Sequence, residues 1–245
     1  MDFEKICYVF DVDGTLTEAR KPATSDFIDI FTKWATNKQL YIATGSDFVK
    51  TKEQLPQKML DCFKLIYCCM GNEVRNSASQ IVKKTEFIES YRLETALEDF
   101  LKKTKYKVKT GRHLEYRTGM VNFSVVGRNA THKQRKAYNK WDNTNKEREK
   151  IAKFINKNFE TYEASVGGSI SIDIIMKGKD KGQIIQELVQ AGAKKIVFCG
   201  DRCLPGGNDY GIIRELSKSD LAYEWYQVSG PEDVINLIQT NKVFI

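Results

Sequence analysis

The sequence predicts an α/β fold in which a parallel sheet covered by helices is interrupted by an inserted α+β unit. Three observations carry that expectation. Short apolar runs alternate with helix-period segments through residues 6–70 and again from residue 180. The stretch between them changes style, to hairpin-like alternation and long charged helical segments. Polar clusters with chemical potential stand where the apolar runs end, and in open α/β sheets ligands bind beyond those ends.

The first run, ICYVF (6–10), is bounded by aspartate and reads as a fully buried strand. A helix is expected over 24–37. It is opened by Thr24, Ser25 and Asp26 and carries Phe27, Ile28, Ile30, Phe31 and Trp34 on its apolar side. LYIAT (40–44) reads as the second strand, 47–61 as helix and KLIYCCM (64–70) as the third strand. In the middle, 92–105 reads as an amphipathic helix and 108–128 alternates with turn signals at Gly111 and Gly119, as antiparallel hairpins do. A charged helical stretch covers 131–158, and 161–176 returns to alternation. A helix at 180–191, the strand IVFCG (196–200) and a helix near 209–217 complete the pattern. Residues 1–80 and 181–245 are therefore expected to form one discontinuous domain, with 81–180 as the insertion. The late run AYEWY (222–226) reads as strand core rather than as an aromatic platform for a sugar.

Composition narrows the class. The chain has 245 residues, 41% hydrophobic and 29% charged, which suits a soluble globular protein with real cores. No apolar run approaches the ~20 residues that span a bilayer, so no membrane role is expected. MDFEK leads directly into the first strand without signal-peptide architecture, and a cytoplasmic location is the expectation. Of the six cysteines, Cys7, Cys68, Cys69 and Cys199 sit in apolar runs as small hydrophobes, and Cys62 and Cys203 form no paired knuckles with them or with His113 and His132. The net charge of +7 draws anions. Its lysine-rich middle third reads as solvated faces before it reads as a nucleic-acid surface, and nucleic acid is not the expected partner.

The strand ends carry the chemistry. Asp11 and Asp13 follow the first strand, Ser46 and Asp47 the second, and Asp201 the IVFCG strand, while Lys181 opens the returning helix. A carboxylate that attacks phosphate needs a cation beside it, because two anions otherwise repel. Magnesium takes one or two carboxylates, and Asp11 and Asp201 supply them. Asp13, two residues on in an extended chain, shares the pocket as general acid and base. Ser46 is placed to hydrogen-bond the transferring phosphoryl group, and Lys181 to offset the charge of Asp11 and phosphate. Gly206 and Gly207 after Pro205 let the late loop fold back so that Asn208 and Asp209 support the metal. Gly167 and Gly168 mark a tight turn or a close backbone approach.

DVDGT, GSD, GKDK and GDRCLPGGND in this order resemble the haloacid-dehalogenase-type phosphotransferases, whose larger cap type is an α+β insertion like the one here. The resemblance implies a Rossmann-like catalytic core with an inserted cap. FDVDGTLTEAR, GSDFVKTKEQL, EYRTGMVNFSVVGR, GGSISIDI and GDRCLPGGNDYGI together resemble the eukaryotic-type phosphomannomutases from about residue 8 to residue 238. That resemblance implies a mutase of mannose 6-phosphate and mannose 1-phosphate feeding GDP-mannose synthesis, with a phosphoglucomutase side activity. It implies Asp11 as the phosphorylated residue and Asp13 as proton donor and acceptor. Magnesium would be held by Asp11, the Asp13 carbonyl and Asp201, and a hexose 1,6-bisphosphate would act as activator. Hexose phosphate contacts fall on Arg20, Arg117, Arg128, Arg135, Ser171 and Asp173, and the resemblance implies a homodimer through the cap. Arginine suits a phosphate held away from the chemistry, because its planar fork engages oxygens bidentately. The chain departs from the family where Lys179 replaces the usual tryptophan before Asp-Lys, and where IRELSKSDLAYEWYQV fails to match the second cation loop. Two rival readings stand beside the mutase: a sugar-phosphate phosphatase on the same core, and a noncatalytic polyanion-binding protein on that scaffold.

Overall fold

A computed structural model describes residues 6–240 and Phe244. MDFEK, on which the signal-peptide expectation rests, lies outside the described residues. The chain divides into two compact units, one of residues 1–84 and 179–245 and one of residues 85–178.

The first unit opens with β1 (Ile6–Phe10), α1 (Ser25–Trp34) and β2 (Gln39–Ala43). Thr24 caps α1 by accepting from the Phe27 N–H. The segment expected as one helix over 47–61 is two, α2 (Phe48–Gln54) and α3 (Gln57–Leu60), because Pro56 cannot donate to a continuing helix. β3 (Phe63–Cys68) follows, then β4 (Glu73–Asn76) and β5 (Ile81–Lys84). This last hairpin is absent from the sequence reading; its signal is the turn cluster NSASQ, where Asn76 accepts from the Gln80 N–H.

The second unit begins with α4 (Tyr91–Lys103), β6 (Leu114–Arg117) and β7 (Met120–Phe123). The expected charged helix over 131–158 is broken into α5 (His132–Asn145) and α6 (Glu147–Asn158) by Lys146, which takes a left-handed conformation at φ 54. No glycine or proline marks the break. What fixes it is Asp142, whose carboxylate accepts both the Arg148 backbone N–H and the Arg148 Nε. β8 (Tyr162–Gly167) and β9 (Ser171–Met176) complete this unit. The chain then returns to the first unit through α7 (Gln183–Gln190), β10 (Lys195–Gly200), α8 (Tyr210–Leu216), β11 (Ala222–Gln227) and α9 (Pro231–Thr240).

Among the described residues the first unit holds one sheet in the order β11-β10-β1-β2-β3-β4-β5. Its first five members are parallel and the β4–β5 hairpin is antiparallel. Alternation within the strands serves both faces. Tyr8, Phe10, Leu40 and Ile42 join Phe27, Phe31 and Phe63 in one core. Cys7, Val9, Tyr41, Ile196 and Phe198 join Ile184, Leu188 and Ile212 in the other. β1 lies between β10 and β2, so the chain leaves it in one direction and is met from the other, which opens a crevice at its carboxyl end. AYEWY forms core only in part: Tyr226 packs against the first core, beside Phe244. Among the described residues β11 is an edge strand paired only with β10, and Tyr223 and Trp225 remain 38% and 36% exposed. Aromatic content signals a strand without telling edge from centre.

The second unit's sheet is antiparallel in the order β6-β7-β9-β8. Val121, Phe123, Ile172 and Ile174 pack with Leu93, Leu97, Tyr138, Ile151 and Ile155 of the helices. The alternate residues form the opposite face. Arg148 braces the β8–β9 turn: its Nη1 donates to the Gly168 carbonyl at 3.0 Å while Nε is paired with Asp142 at 2.7 Å, the ion pair itself being buried. Asp142→Ala strands a buried guanidinium, and the expected loss is about 3–5 kcal/mol. Urea unfolding monitored within this unit checks it, and a loss below about 1 kcal/mol contradicts the bracing role.

Candidate active site

Asp11 follows β1 directly, and its N–H donates to the Cys199 carbonyl of β10 at 2.9 Å, which fixes the carboxylate at the crevice. Lys181, two residues before α7, reaches it from below the surface. Its Nζ donates to Asp11 Oδ1 and to Asp209 Oδ1, both at 2.6 Å, and the lysine is fully buried. Asp209 is held in turn by the Arg202 N–H at 3.1 Å. The loop 201–209 closes on itself because residue 207 is glycine: a Cβ there would lie 2.0 Å from the Arg202 carbonyl oxygen. Asp201 stands across from Gly14, where a Cβ would meet its Oδ2 at 2.7 Å. Gly14 also has φ +81, so two independent requirements select glycine.

Asp11, Asp201 and Asp209 thus present oxygens that all lie within 4.8 Å of one another. Burial pushes the Asp11 carboxyl up to about 7 against the pull of Lys181. Burial and the charge of Asp209 raise Asp201 as well. Burial alone would lower Lys181, but Asp11 and Asp209 outweigh it and hold the ammonium well above its ordinary value. Three crowded carboxylates therefore share one hydrogen-bonded lysine. Asp11 Oδ2 is buried with no partner, an arrangement that costs free energy until a donor or cation arrives. An oxygen-only set of this kind fits a hard divalent cation such as magnesium.

Asp13 belongs to a different set. The chain turns after Asp11, so the two carboxylates do not continue along one strand face as the sequence reading expects. Asp13 Oδ1 accepts from the Arg20 N–H at 2.7 Å and from Gln54 Nε2 at 2.9 Å, and Oδ2 accepts from Ser46 Oγ at 3.3 Å. Ser46 is thus brought to Asp13, while Asp47 caps α2 by accepting from the Lys50 N–H. Arg20 contributes its backbone here, with φ 63 and an exposed side chain. Asp209 lies within the carboxylate cluster, and its neighbour Asn208 is exposed. Gln54 escapes the sequence reading because a polar residue ending a helix looks like its solvent face; it is in fact buried and also donates to Thr17 Oγ1 at 3.0 Å.

The second unit carries its own cluster on the sheet face away from its helices. Arg117 places Nε and Nη2 at 3.1 and 3.0 Å from Glu115 Oε1, and Arg128 Nε donates to Oε2 at 2.5 Å. The two guanidiniums hold the Glu115 carboxyl below its usual range even though its partial burial acts the other way. Arg135 is turned to the backbone, donating to the Ala130 and Arg128 carbonyls at 2.9 Å each. Ser171 is buried at the start of β9, and Asp173 follows on the same strand and face. Glu115 and Asn122, both partners of these residues, escape a reading that looks for phosphate-binding arginines alone.

The fold and this strand-end cluster define the class. Aligned over 98% of this chain and 99% of the other, the structure matches a haloacid-dehalogenase-superfamily subclass IIB sugar phosphatase with a TM-score of 0.59 at 16% identity. Such a likeness establishes the haloacid-dehalogenase fold. Sequence narrows it: the model of the eukaryotic phosphomannomutase family matches residues 27–244. Phosphomannomutase 1 of Dictyostelium discoideum is 30% identical over 244 residues, covering 95% of this chain and 94% of that protein. The phosphomannomutase of Saccharomyces cerevisiae is 31% identical over 238 residues, covering 94% and 91%. The chain belongs to the eukaryotic phosphomannomutase family.

The crowded carboxylates yield a binding prediction. Magnesium should stabilise the wild-type protein by about 2.7 kcal/mol at a hundredfold excess over its dissociation constant, and so raise its unfolding temperature. Asp201→Asn abolishes most of that gain. Differential scanning calorimetry with and without the ion checks both.

Proposed function

We propose that the chain is a phosphomannomutase, interconverting mannose 6-phosphate and mannose 1-phosphate through a phosphorylated Asp11 and a hexose 1,6-bisphosphate. The observation that carries the mechanism is the buried Asp11–Lys181–Asp209 set with its unpartnered Asp11 Oδ2. A nucleophilic carboxylate needs one oxygen free and its charge offset, and this set meets both needs.

Asp11 attacks one phosphorus of the bisphosphate activator, the bond from that phosphorus to the sugar oxygen breaks, and protonated Asp13 gives its proton to the leaving oxygen, so that the hexose monophosphate departs. A hydroxyl oxygen of the bound hexose phosphate then attacks that phosphorus while Asp13 takes the hydroxyl proton, and the bond from phosphorus to Asp11 breaks. The resulting bisphosphate turns end for end. Asp11 attacks the other phosphorus, the phosphate–sugar bond breaks, and Asp13 returns its proton to the leaving oxygen. Gln54, Ser46 and the Arg20 N–H hold Asp13 ready for both transfers. Lys181 holds Asp11 in place and screens its charge from phosphate. Asp11, Asp201 and Asp209 would hold magnesium with the Asp13 carbonyl, and the bound ion would neutralise charge between Asp11 and the phosphoryl oxygens. In the inserted unit, Arg117, Arg128 and Arg135 serve the phosphate not being transferred, while Ser171 and Asp173 accept from sugar hydroxyls; Arg20 is the hexose phosphate contact proposed on the core. A soluble cytoplasmic enzyme, dimeric through the inserted unit and supplying GDP-mannose synthesis, is the setting this reading implies.

A phosphatase on the same core differs only in letting water reach phosphorylated Asp11. The charged insertion face favours the mutase, because a mutase must also hold a second phosphate. With mannose 1-phosphate and the activator, an assay coupled to mannose 6-phosphate should report isomer without stoichiometric free phosphate. Phosphate release without isomer overturns the mutase reading. Radiolabelled bisphosphate should leave hydroxylamine-labile label on wild-type protein and none on Asp11→Asn, whose turnover falls at least about 10³-fold. Asp13→Asn should lose about 10²–10⁴-fold in turnover. Dialysis against a chelator should abolish turnover and magnesium should restore it.

A further inference from the structure

The open face of the second unit's sheet contains a row that runs straight across all four strands. Glu115 of β6 is in register with Asn122 of β7, Asn122 with Asp173 of β9, and Asp173 with Ser165 of β8. Asn122 sits at its middle on an inner strand and is 3% exposed. Its Nδ2 donates to Asp173 Oδ1, and its Oδ1 has no partner. A buried amide left half satisfied costs stability, and an apolar residue would pack there without that cost. Its sheet position alone therefore does not account for it.

The other side of Asp173 is equally constrained. Gly167 lies beside it on β8, and a Cβ there would fall 2.2 Å from Asp173 Oδ2. The carboxylate lies in a slot with the Asn122 amide on one side and bare backbone on the other. Arg117 and Arg128 are both hydrogen-bonded to Glu115, so neither is spent on orienting Asp173.

We infer that Asn122 is a positioning residue for sugar recognition: it aims the Asp173 carboxylate at the hexose hydroxyls, with Gly167 leaving the room that aim requires. The inference rests on the proposed assignment of Asp173 to the sugar. Its logic separates two halves of one ligand, since Asn122 serves the sugar-binding carboxylate and Glu115 the phosphate-binding arginines. An N–H donated to a carboxylate also favours the ionised form that can accept from a hydroxyl. Burial works against that form, while Arg117 and Arg128 support it and Glu115 opposes it.

The test titrates full-length wild-type, Asn122→Ala and Gly167→Ala with mannose 6-phosphate and with inorganic phosphate in parallel by calorimetry. Asn122→Ala is expected to weaken mannose 6-phosphate about tenfold, the worth of one oriented hydrogen bond to a charged group. Inorganic phosphate affinity should change less than twofold. The acid limb of mannose 6-phosphate binding should move to higher pH, because Asp173 without its donor takes a proton sooner. Gly167→Ala, which displaces the carboxylate from the other side, should show the same selectivity if Asn122→Ala fails to fold. Equal losses for both ligands, or an unchanged mannose 6-phosphate affinity and acid limb, overturn the positioning role. A wild-type protein that binds inorganic phosphate but gains nothing from the hexose overturns the sugar-site reading instead.

Discussion

A lysine with no exposure to solvent lies between two carboxylates, and the phosphoryl site takes its shape from that fact. Lys181 can remain charged there only because Asp11 and Asp209 each meet its ammonium at 2.6 Å. Those bonds tie together the end of β1, the approach to α7 and the loop that closes before α8. Each carboxylate is also fixed by backbone, Asp11 through the Cys199 carbonyl and Asp209 through the Arg202 N–H. One lysine cannot satisfy the acidic groups that gather around it, and Asp11 Oδ2 stays without a partner. The proposed nucleophile and the proposed cation site are thus two aspects of a single electrostatic deficit.

The inserted unit solves a different problem with similar means. Its polar row carries two carboxylates and is flanked by two guanidiniums, with Glu115 accepting from both Arg117 and Arg128. A carboxylate shared by two arginines limits their rotamer freedom and sets the direction of the N–H groups left over. The row therefore offers aimed donors in place of a diffuse positive field. The +7 excess of the whole chain falls within residues 85–178, on exposed lysines for the most part, so charge excess and directed recognition are separate properties of this unit.

Much of this was legible in the sequence because the physics is local. Asp11, Asp201 and Ser46 follow apolar runs that are too short for helices and too apolar for surface strands, so their place beyond strand ends follows from the pattern. Lys181 and Asp209 were placed by their neighbours GKDK and GGND. Residues whose partners are distant in sequence stayed hidden. Gln54 meets Asp13 across 41 positions and Asn122 meets Asp173 across 51, and each looks from its own neighbourhood like a solvated residue. Asp11 and Asp13 fall into two partner sets because the strand ends at Phe10 and the chain turns at Val12, between them. The break at Lys146 was missed because its cause is a side-chain bond from Asp142 and not a helix-breaking residue. AYEWY is core only at Tyr226, because composition reports strand preference and is silent on sheet position.

Every member of the carboxylate–lysine set lies outside residues 85–178, although Asp11 and Lys181 are 170 positions apart. The polymer cost of closing so long a loop grows only with the logarithm of its length, by about 0.6 kcal/mol per doubling. What the core needs from the intervening segment is that it fold by itself and return the chain. Its size and sequence are otherwise free. If the proposed division of labour holds, reaction and recognition are in that sense separately heritable: a lineage could replace the inserted segment wholesale and keep the carboxylate–lysine set, because no member of that set is encoded there.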